Sequence, residues 1–239
     1  MTASSARQIV IEAPPRLAEA AAEWIAAAVE ADIRDRGRCT VALAGGETPR
    51  PIYERLARAP LAQRIHWENV EIFFGDERAV PASDPASNYG SATASLLGRV
   101  PIPPGHVHRL EAERADRDAA AREYEQILPG QLDVLLLGMG SDGHTASLFP
   151  GSAAVEERRR RVVAVIGPTP PRERLTITPP VIAAARRVAV LVTGAAKATM
   201  VARALQGPVE SRVLPVQLAL SGVWFIDRAA AAALGDAEP

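Results

Sequence analysis

The sequence is short of cysteine, of lysine and of long apolar runs. Its single cysteine, Cys39, excludes a disulfide within the chain, and because it opens a strand-like run we expect a buried structural thiol. No run approaches the roughly 20 apolar residues of a membrane span, so no membrane partner is expected. The formal net charge of −1 supplies no overall positive field, so no nucleic-acid partner is expected either.

The N-terminal region has no apolar core of the kind that a signal peptide needs. The Ala-rich stretch from Leu17 to Ile33 is interrupted by Glu19, Glu23 and Glu30, which is typical of an amphipathic helix. We therefore expect a cytoplasmic protein, with residues 1–239 forming one domain. The sequence leaves the choice between a monomer and a small homo-oligomer open.

Short apolar runs alternate with helical patterns along the chain. Strands are predicted at Gln8–Ile11, Thr40–Ala44, Val70–Phe74, Leu132–Leu137, Val162–Ile166, Arg174–Thr178, Val188–Val192 and Val223–Ile226. Helices are predicted at Pro15–Arg36, Pro49–Arg58, Ser91–Leu97, Arg117–Leu128 and Lys197–Leu205. This alternation predicts an α/β fold, a doubly wound, mainly parallel sheet with helices on both faces. Such sheets bind ligands beyond the carboxyl ends of their strands.

The stretch "LLLGMGSDGHTASLFPG" contains G-x-G-x-x-G at Gly138, Gly140 and Gly143, directly after a predicted strand. In dinucleotide-binding proteins these glycines lead into a long helix whose N-terminus binds the pyrophosphate. Here only His144–Phe149 follow before Pro150-Gly151, which predicts a chain break. We therefore expect no dinucleotide cofactor at this loop.

The same loop places Asp142 and His144 at the end of a strand, on either side of Gly143. A neutral imidazole accepts a proton from water near neutral pH, and a carboxylate beside it orients the ring. The alternative is a tight turn in which both side chains only cap a helix at Thr145. From the residues alone, the two interpretations stay open.

The segment "ALAGGETPRP" predicts an anion-binding turn. Gly45 and Gly46 follow a strand, Thr48 is a natural helix cap, and Pro49 a natural first helical residue. Backbone N–H groups at such a turn bind phosphate. A well-capped tight turn without a ligand is the alternative.

Charged and polar residues follow three other predicted strands or lie within them. Asp76, Arg78 and Asn88 belong to "FFGDERAVPASDPASNYG", where the alternative is a surface salt-bridge cluster. Arg174 lies in the run after "PTPPRE". Lys197 is the chain's only lysine, since all its other basic residues are arginine, and an ammonium at a strand-to-helix junction suits a phosphate.

Together these stretches resemble the 6-phosphogluconolactonase family. The matching segments are "LAGGETPRPIYERLA", "WENVEIFFGDERAVPASDPASNYG", "DVLLLGMGSDGHTASLFPG", "RERLTITPPVIAAARRVAVLVTGAAKA" and "SGVWFIDRAAA". The resemblance implies the fold shared with glucosamine-6-phosphate deaminases and ribose-5-phosphate isomerase. It also implies hydrolysis of 6-phospho-D-glucono-1,5-lactone in the pentose phosphate pathway, with no cofactor and no metal. Glu47 departs from the family, which more often has a small residue there.

This resemblance makes His144 and Asp142 the catalytic candidates and a sugar phosphate the partner. The substrate-binding candidates are Gly45, Gly46, Thr48, Asp76, Arg78, Asn88, Gly140, Arg174 and Lys197. Arg78 is a candidate for either the phosphate or the carbonyl end. Two rival functions are a deaminase on the same fold, which has Glu where this chain has Phe149, and a non-catalytic sugar-phosphate sensor, which has no need of His144.

Overall fold

A computed structural model describes residues 8–235 of the protein. Nine strands are present in this part of the chain: β1 Ile9–Glu12, β2 Cys39–Leu43, β3 Val70–Phe74, β4 Asp76–Arg78, β5 Val134–Gly138, β6 Val162–Ile166, β7 Glu173–Ile177, β8 Arg187–Val192 and β9 Val223–Asp227. Six of them form a sheet of order β1-β9-β8-β5-β2-β3 in which every pair is parallel. The predicted parallel α/β fold is therefore confirmed.

Seven α-helices lie between these strands in residues 8–235: α1 Pro14–Arg36, α2 Arg50–Leu56, α3 Leu61–Arg64, α4 Asn88–Ala92, α5 Arg117–Ile127, α6 Pro179–Ala184 and α7 Ala198–Gln206. A π-helical turn covers Thr93–Leu97, and short 3-10 turns cover Trp67–Asn69, Pro104–His106, Ala153–Glu156, Ala195–Lys197 and Pro215–Ala219. The predicted helix from Ser91 thus begins earlier and changes its winding. No helix in this part of the chain has the length and apolar character that crossing a membrane requires.

The core follows from the spacing of apolar residues. In α1 residues that pack inward recur four apart, at Leu17, Ala21, Ile25 and Val29, and all four are buried. The helix ends at Gly37, whose φ of +75° allows its N–H to reach the carbonyl of Ile33, as the sequence predicts. All residues of β2 are buried, which requires cover on both faces of the sheet.

The sequence did not predict a second sheet. Strands β6 and β7 do not belong to the main sheet. Together with β4 they form a three-stranded antiparallel sheet of order β4-β7-β6. The stretch after Phe74, where the sequence predicts no strand, begins with this β4, so Asp76 and Arg78 lie on a strand. The small sheet matters for function because it carries charged residues across the carboxyl edge of the large one.

Candidate active site

A cleft of about 160 Å³ lies at the carboxyl edge of the main sheet, where the parallel fold predicts a ligand. Its walls come from the loops after β2 and β5, from strands β4 and β7, and from the turn before α7. The residues with functional groups on these walls include Gly45, Gly46, Glu47, Thr48, Asp76, Arg78, Gly140, His144, Arg174 and Lys197. The structure thus brings together every predicted site residue except Asn88 and Asp142, and Asp142 touches His144.

His144 is held by the neighbouring carboxylate. Its Nδ1 lies 2.6 Å from Oδ1 of Asp142, and its backbone N–H donates to the same oxygen at 3.1 Å. Burial raises the pKa of Asp142, but the hydrogen bonds from His144 outweigh it and lower that pKa overall. An ionised carboxylate only accepts, so the proton of a neutral ring sits on Nδ1. Nε2 is then left with a lone pair, as a general base requires.

Gly140 supports the imidazole by having no side chain. A Cβ at this position would lie 2.1 Å from Nδ1 of His144 and 2.7 Å from Oδ1 of Asp142. Its backbone N–H donates to the carbonyl of His144 at 2.9 Å, and Gly143 donates to the carbonyl of Gly140 at 3.0 Å. Both N–H groups are therefore occupied within the loop. No helix follows, since residues 141–150 form turns and an isolated bridge, so the predicted interruption of the chain after His144–Phe149 is confirmed.

The Gly45–Thr48 loop presents free backbone donors to the cleft. Within residues 8–235, none of its four N–H groups donates to another part of the protein. Gly46 has a φ of +93°, and a Cβ on Gly45 would fall 1.8 Å from Oδ1 of Asn88. The close approach and the reversed backbone explain the two adjacent glycines.

The prediction that Thr48 caps the following helix is wrong. The α2 helix begins at Arg50, its cap residue is Pro49, and no side chain accepts a hydrogen bond there. The Thr48 hydroxyl instead shares a 2.7 Å hydrogen bond with the hydroxyl of Thr193, from the loop after β8. The side chain of Thr48 therefore bonds to Thr193, a residue distant in sequence that the local pattern could not reveal.

Three cations face the cleft without a carboxylate partner in the part of the chain that the structure describes. Arg78 donates from Nη1 to the carbonyl of Ala86 at 2.6 Å, and its Nε is buried without a partner. Arg174, buried on β7, donates from Nε to the carbonyl of Pro171 at 3.0 Å. Burial lowers the pKa of Arg174 and also that of Lys197. Neutral carbonyls orient the two guanidiniums, and the charge of nearby Asp76 acts on Arg174 without forming an ion pair, so both guanidiniums stay available to an anion.

The predicted acidic and amide residues have mainly structural contacts. Asp76 lines the cleft, but its oxygens already accept from Asn88 Nδ2 at 3.0 Å and from Ser147 Oγ at 2.6 Å. Asn88 lies behind Gly45 and not on the cleft wall, so the structure does not place it where a substrate would touch it. Glu77 is buried too, and accepts backbone N–H groups from Arg78, Asn88 and Tyr89.

Phe149 lies between the catalytic candidates and one of the cations. Its ring centroid is 4.7 Å from that of His144, and the Arg174 guanidinium lies 5.4 Å above the Phe149 ring. Phe149 is 8% exposed, so the ring closes this side of the loop. Its contact with both groups makes it part of the site, although its side chain moves no proton.

Sequence reasoning missed Ala146, Thr193 and Asp227. Ala146 lines the cleft with a φ of +48°, a strained conformation for a residue with a side chain. Asp227 ends β9 and accepts the backbone N–H of Gly194. The rule that ligands gather beyond the carboxyl ends of strands identifies Asp227, since the predicted strand stops one residue before it.

Comparison with known proteins finds similar sequences over most of the chain. The profile of the family described as glucosamine-6-phosphate isomerases/6-phosphogluconolactonase matches residues 12–225. A 6-phosphogluconolactonase of Mycobacterium tuberculosis is 41% identical over 234 residues, which cover 91% of this chain and 94% of that protein. One of Haemophilus influenzae is 36% identical over 198 residues, covering 80% and 85%.

Solved structures agree with this match. The 6-phosphogluconolactonase from Trypanosoma brucei has a TM-score of 0.85 and 31% identity, covering 96% of this chain and 99% of that one. A monomeric glucosamine-6-phosphate deaminase has a TM-score of 0.84 over 95% and 99% of the chains, and its 23% identity shows a shared fold only. The chain belongs to the glucosamine-6-phosphate isomerase/6-phosphogluconolactonase family.

Proposed function

We propose that this protein hydrolyses 6-phospho-D-glucono-1,5-lactone to 6-phospho-D-gluconate, a step of the pentose phosphate pathway. One observation carries the proposal. A His–Asp pair with a free ring nitrogen opens onto the same cleft as three cations without carboxylate partners. The pair suits attack on an ester carbonyl, and the cations suit a phosphate. The named activity of the lactonase relatives supports the same reaction.

In the proposed mechanism, Nε2 of His144 removes a proton from a water molecule that attacks the lactone carbonyl. Asp142 keeps the required tautomer and stabilises the imidazolium that forms. The imidazolium then protonates the ring oxygen as the ring opens. A lactone is an activated ester and needs no covalent intermediate, which agrees with the lack of a G-x-S-x-G nucleophile elbow in the sequence.

The oxyanion of the tetrahedral intermediate needs a donor other than the Gly140 and Gly143 N–H groups of the Gly138–Gly143 loop. The N–H groups of Gly140 and Gly143 already have acceptors within that loop. We assign the oxyanion to a cleft cation and favour Arg78, which lines the cleft and has no carboxylate partner in the described chain. The free N–H groups of Gly45–Thr48, together with Lys197 and Arg174, then bind the phosphate.

The two rival functions meet different objections. In the deaminase family a glutamate takes the place of Phe149, and the ring seen here, packed on His144, has no group to transfer a proton for ring opening or ammonia release. A sugar-phosphate sensor needs the cations but has no use for a base held in one tautomer.

We also propose that the enzyme acts in the cytoplasm, as a monomer or small homo-oligomer.

Acid release from the phosphorylated lactone, followed in a pH-stat at constant pH, tests the proposal. Spontaneous hydrolysis is measured without protein and subtracted, and glucono-1,5-lactone serves as the unphosphorylated comparison. We expect turnover that strongly favours the phosphorylated substrate and survives EDTA. Binding of 6-phosphogluconate without any turnover identifies a sensor instead, and turnover without preference for phosphate contradicts the anion site.

A further inference from the structure

The Lys197 ammonium faces the cleft from the short turn between β8 and α7. Lys197 is half-buried, and no hydrogen bond or ion pair holds its side chain within residues 8–235. Burial lowers its pKa, and the charge of Asp227 works in the opposite direction. Asp227 is the only acid whose charge acts on this lysine among the described groups, so the two side chains are linked although they do not touch.

Asp227 also holds the backbone of the turn. Its Oδ1 accepts the N–H of Gly194 at 3.0 Å and that of Ala230 at 2.7 Å, and its Oδ2 lies 3.1 Å from the same Gly194 nitrogen. Gly194 has a φ of +102°, so the chain reverses here before the Lys197 turn. The carboxylate is 4% exposed and does not line the catalytic cleft. It therefore acts on the site through the turn and its charge.

A second contact joins this turn to the loop of free N–H groups. The hydroxyls of Thr193 and Thr48 share a 2.7 Å hydrogen bond between the β8 and β2 loops. One face of the turn is thus fixed to β9 by Asp227, and its start is fixed to the Gly45–Thr48 loop by Thr193. Both groups proposed to hold the phosphate are positioned relative to each other by these contacts.

We infer that Asp227 is a positioning residue for substrate phosphate: it fixes the Thr193–Lys197 turn and holds the lysine charge in the cleft, with Thr193 aligning the turn to the Gly45–Thr48 loop. The inference rests on the proposed function, because it needs a phosphorylated substrate. It predicts that Asp227 contributes to selection of the phosphate and not to the chemistry at the carbonyl.

The test is a double-mutant cycle on the full chain with Asp227→Asn, Lys197→Ala and both together. Asparagine retains the Oδ1 acceptor for Gly194 and Ala230 but removes the charge. We expect Asp227→Asn to lower kcat/KM for the phosphorylated lactone by about 5–20-fold at the alkaline end of the assay range, mainly through KM, because without the carboxylate charge Lys197 loses its proton at a lower pH. A change of this size is within the range for coupled neighbours. Hydrolysis of glucono-1,5-lactone should change by less than about twofold. Once Lys197 is alanine, Asp227→Asn should have almost no further effect.

Two controls separate positioning from simple loss of stability. Asp133→Asn changes a buried aspartate at the opposite edge of the sheet and should leave the ratio of the two substrates' kcat/KM unchanged. Thr193→Val keeps the side-chain shape but removes the bond to Thr48, and it should lower kcat/KM for the phosphorylated lactone alone. It also tests the turn if Asp227→Asn fails to fold.

The outcomes distinguish this inference from the proposed function. If Lys197→Ala leaves phosphate selectivity intact, the proposed phosphate site is wrong and the inference falls with it. In a second set of outcomes, Lys197→Ala lowers selectivity while Asp227→Asn has no effect, or has an equal effect on both substrates. In a third, Asp227→Asn has the same effect with and without Lys197. In each of these cases only the role of Asp227 is wrong. A retained selectivity in Thr193→Val overturns the alignment by Thr193.

Discussion

Charged side chains at the two edges of the main sheet have opposite kinds of surroundings. At the amino edge, Asp32 and Asp133 are 3% and 5% exposed, and each is paired with arginine. Arg36 reaches both carboxylates at 2.6 Å, and Arg187 reaches Asp32 at 2.6 Å. Asp133 also accepts the backbone N–H and the hydroxyl of Thr40. Charges here satisfy one another, as a structural network must.

At the carboxyl edge, the cations of the cleft have no such partners. Arg78 and Arg174 are held by carbonyl oxygens, and Lys197 by no side chain within the described residues. Partly buried charge without an ion pair is costly, so cations arranged in this way suit the binding of an anionic ligand. The comparison shows that the partners of a charged residue, and not its burial alone, distinguish a binding site from a structural ion pair.

The amino edge also contains a trio that resembles a metal site. Ligand atoms of Asp32, Cys39 and Asp133 lie within 4.8 Å of one another. However, the guanidiniums of Arg36 and Arg187 already occupy the carboxylates, and burial raises the pKa of the Cys39 thiol. A divalent cation would have to displace both arginines and the thiol proton. We therefore interpret the trio as part of the structural network.

The largest effect on activity should come from the catalytic histidine. His144→Gln removes the base, so kcat for the phosphorylated lactone should fall by about 10²–10⁴-fold with little change in KM. The melting temperature should stay close to wild type, because the side chain is partly exposed and no buried partner is stranded. Retention of near-wild-type turnover, after subtraction of spontaneous hydrolysis, would exclude His144 as the base.

The opposite edge should show the reverse result. Asp133→Asn leaves Arg36 without one of its carboxylates and should reduce the free energy of unfolding by about 2–4 kcal/mol. This range allows for Arg36, whose side chain is 32% exposed and regains some hydration. Urea unfolding measures the loss, and kcat of the folded protein should not change. If Asp133→Asn keeps its stability but loses activity, the contrast between a structural amino edge and a functional carboxyl edge is wrong.

These two edges also show how far the sequence predicts the molecule. Strands β3 and β6 match the predicted ranges to the residue, because β-branched and apolar runs with clear ends define them. Strand β4 was missed because three charged residues carry no apolar alternation, and its pairing with β7 depends on distant chain. Local spacing predicted that Asp142 lies beside His144, and the structure confirms that contact, but the spacing left a capping turn open as the alternative. The partner of Thr48 was not, because Thr193 lies 145 residues away.

A smaller effect should appear in the pH dependence of phosphate binding. Burial lowers the pKa of Lys197 from 10.5, so its charge is lost at a lower pH than in an ordinary lysine. A phosphate monoester stays dianionic above neutral pH. Affinity for 6-phosphogluconate, measured by calorimetry from pH 7.5 upward, should therefore fall by about tenfold or more as the ammonium deprotonates, by the rule that ~1.4 kcal/mol is tenfold.

Lys197→Ala provides the control for that measurement. Its affinity should be weaker at pH 7.5 and nearly independent of pH above it, because the titrating group is gone. If the variant keeps the same alkaline decrease, another group is responsible.

The smallest effect should come from Glu47, the acid that departs from the family pattern. It is exposed on the rim of the cleft, beside the free N–H groups of the Gly45–Thr48 loop, and has no ion pair within residues 8–235. Its carboxylate repels an incoming phosphate, so Glu47→Gln should lower KM for the phosphorylated lactone by about two- to threefold at low salt, typical of an exposed charge. The gain should shrink at 0.5 M salt, where screening shortens the reach of the charge. Glu68→Gln makes the same change of net charge beside the start of β3, at the amino edge, and should leave KM unchanged. If both variants lower KM equally, the effect belongs to the net charge of the protein, and the rim carboxylate has no special place in phosphate binding.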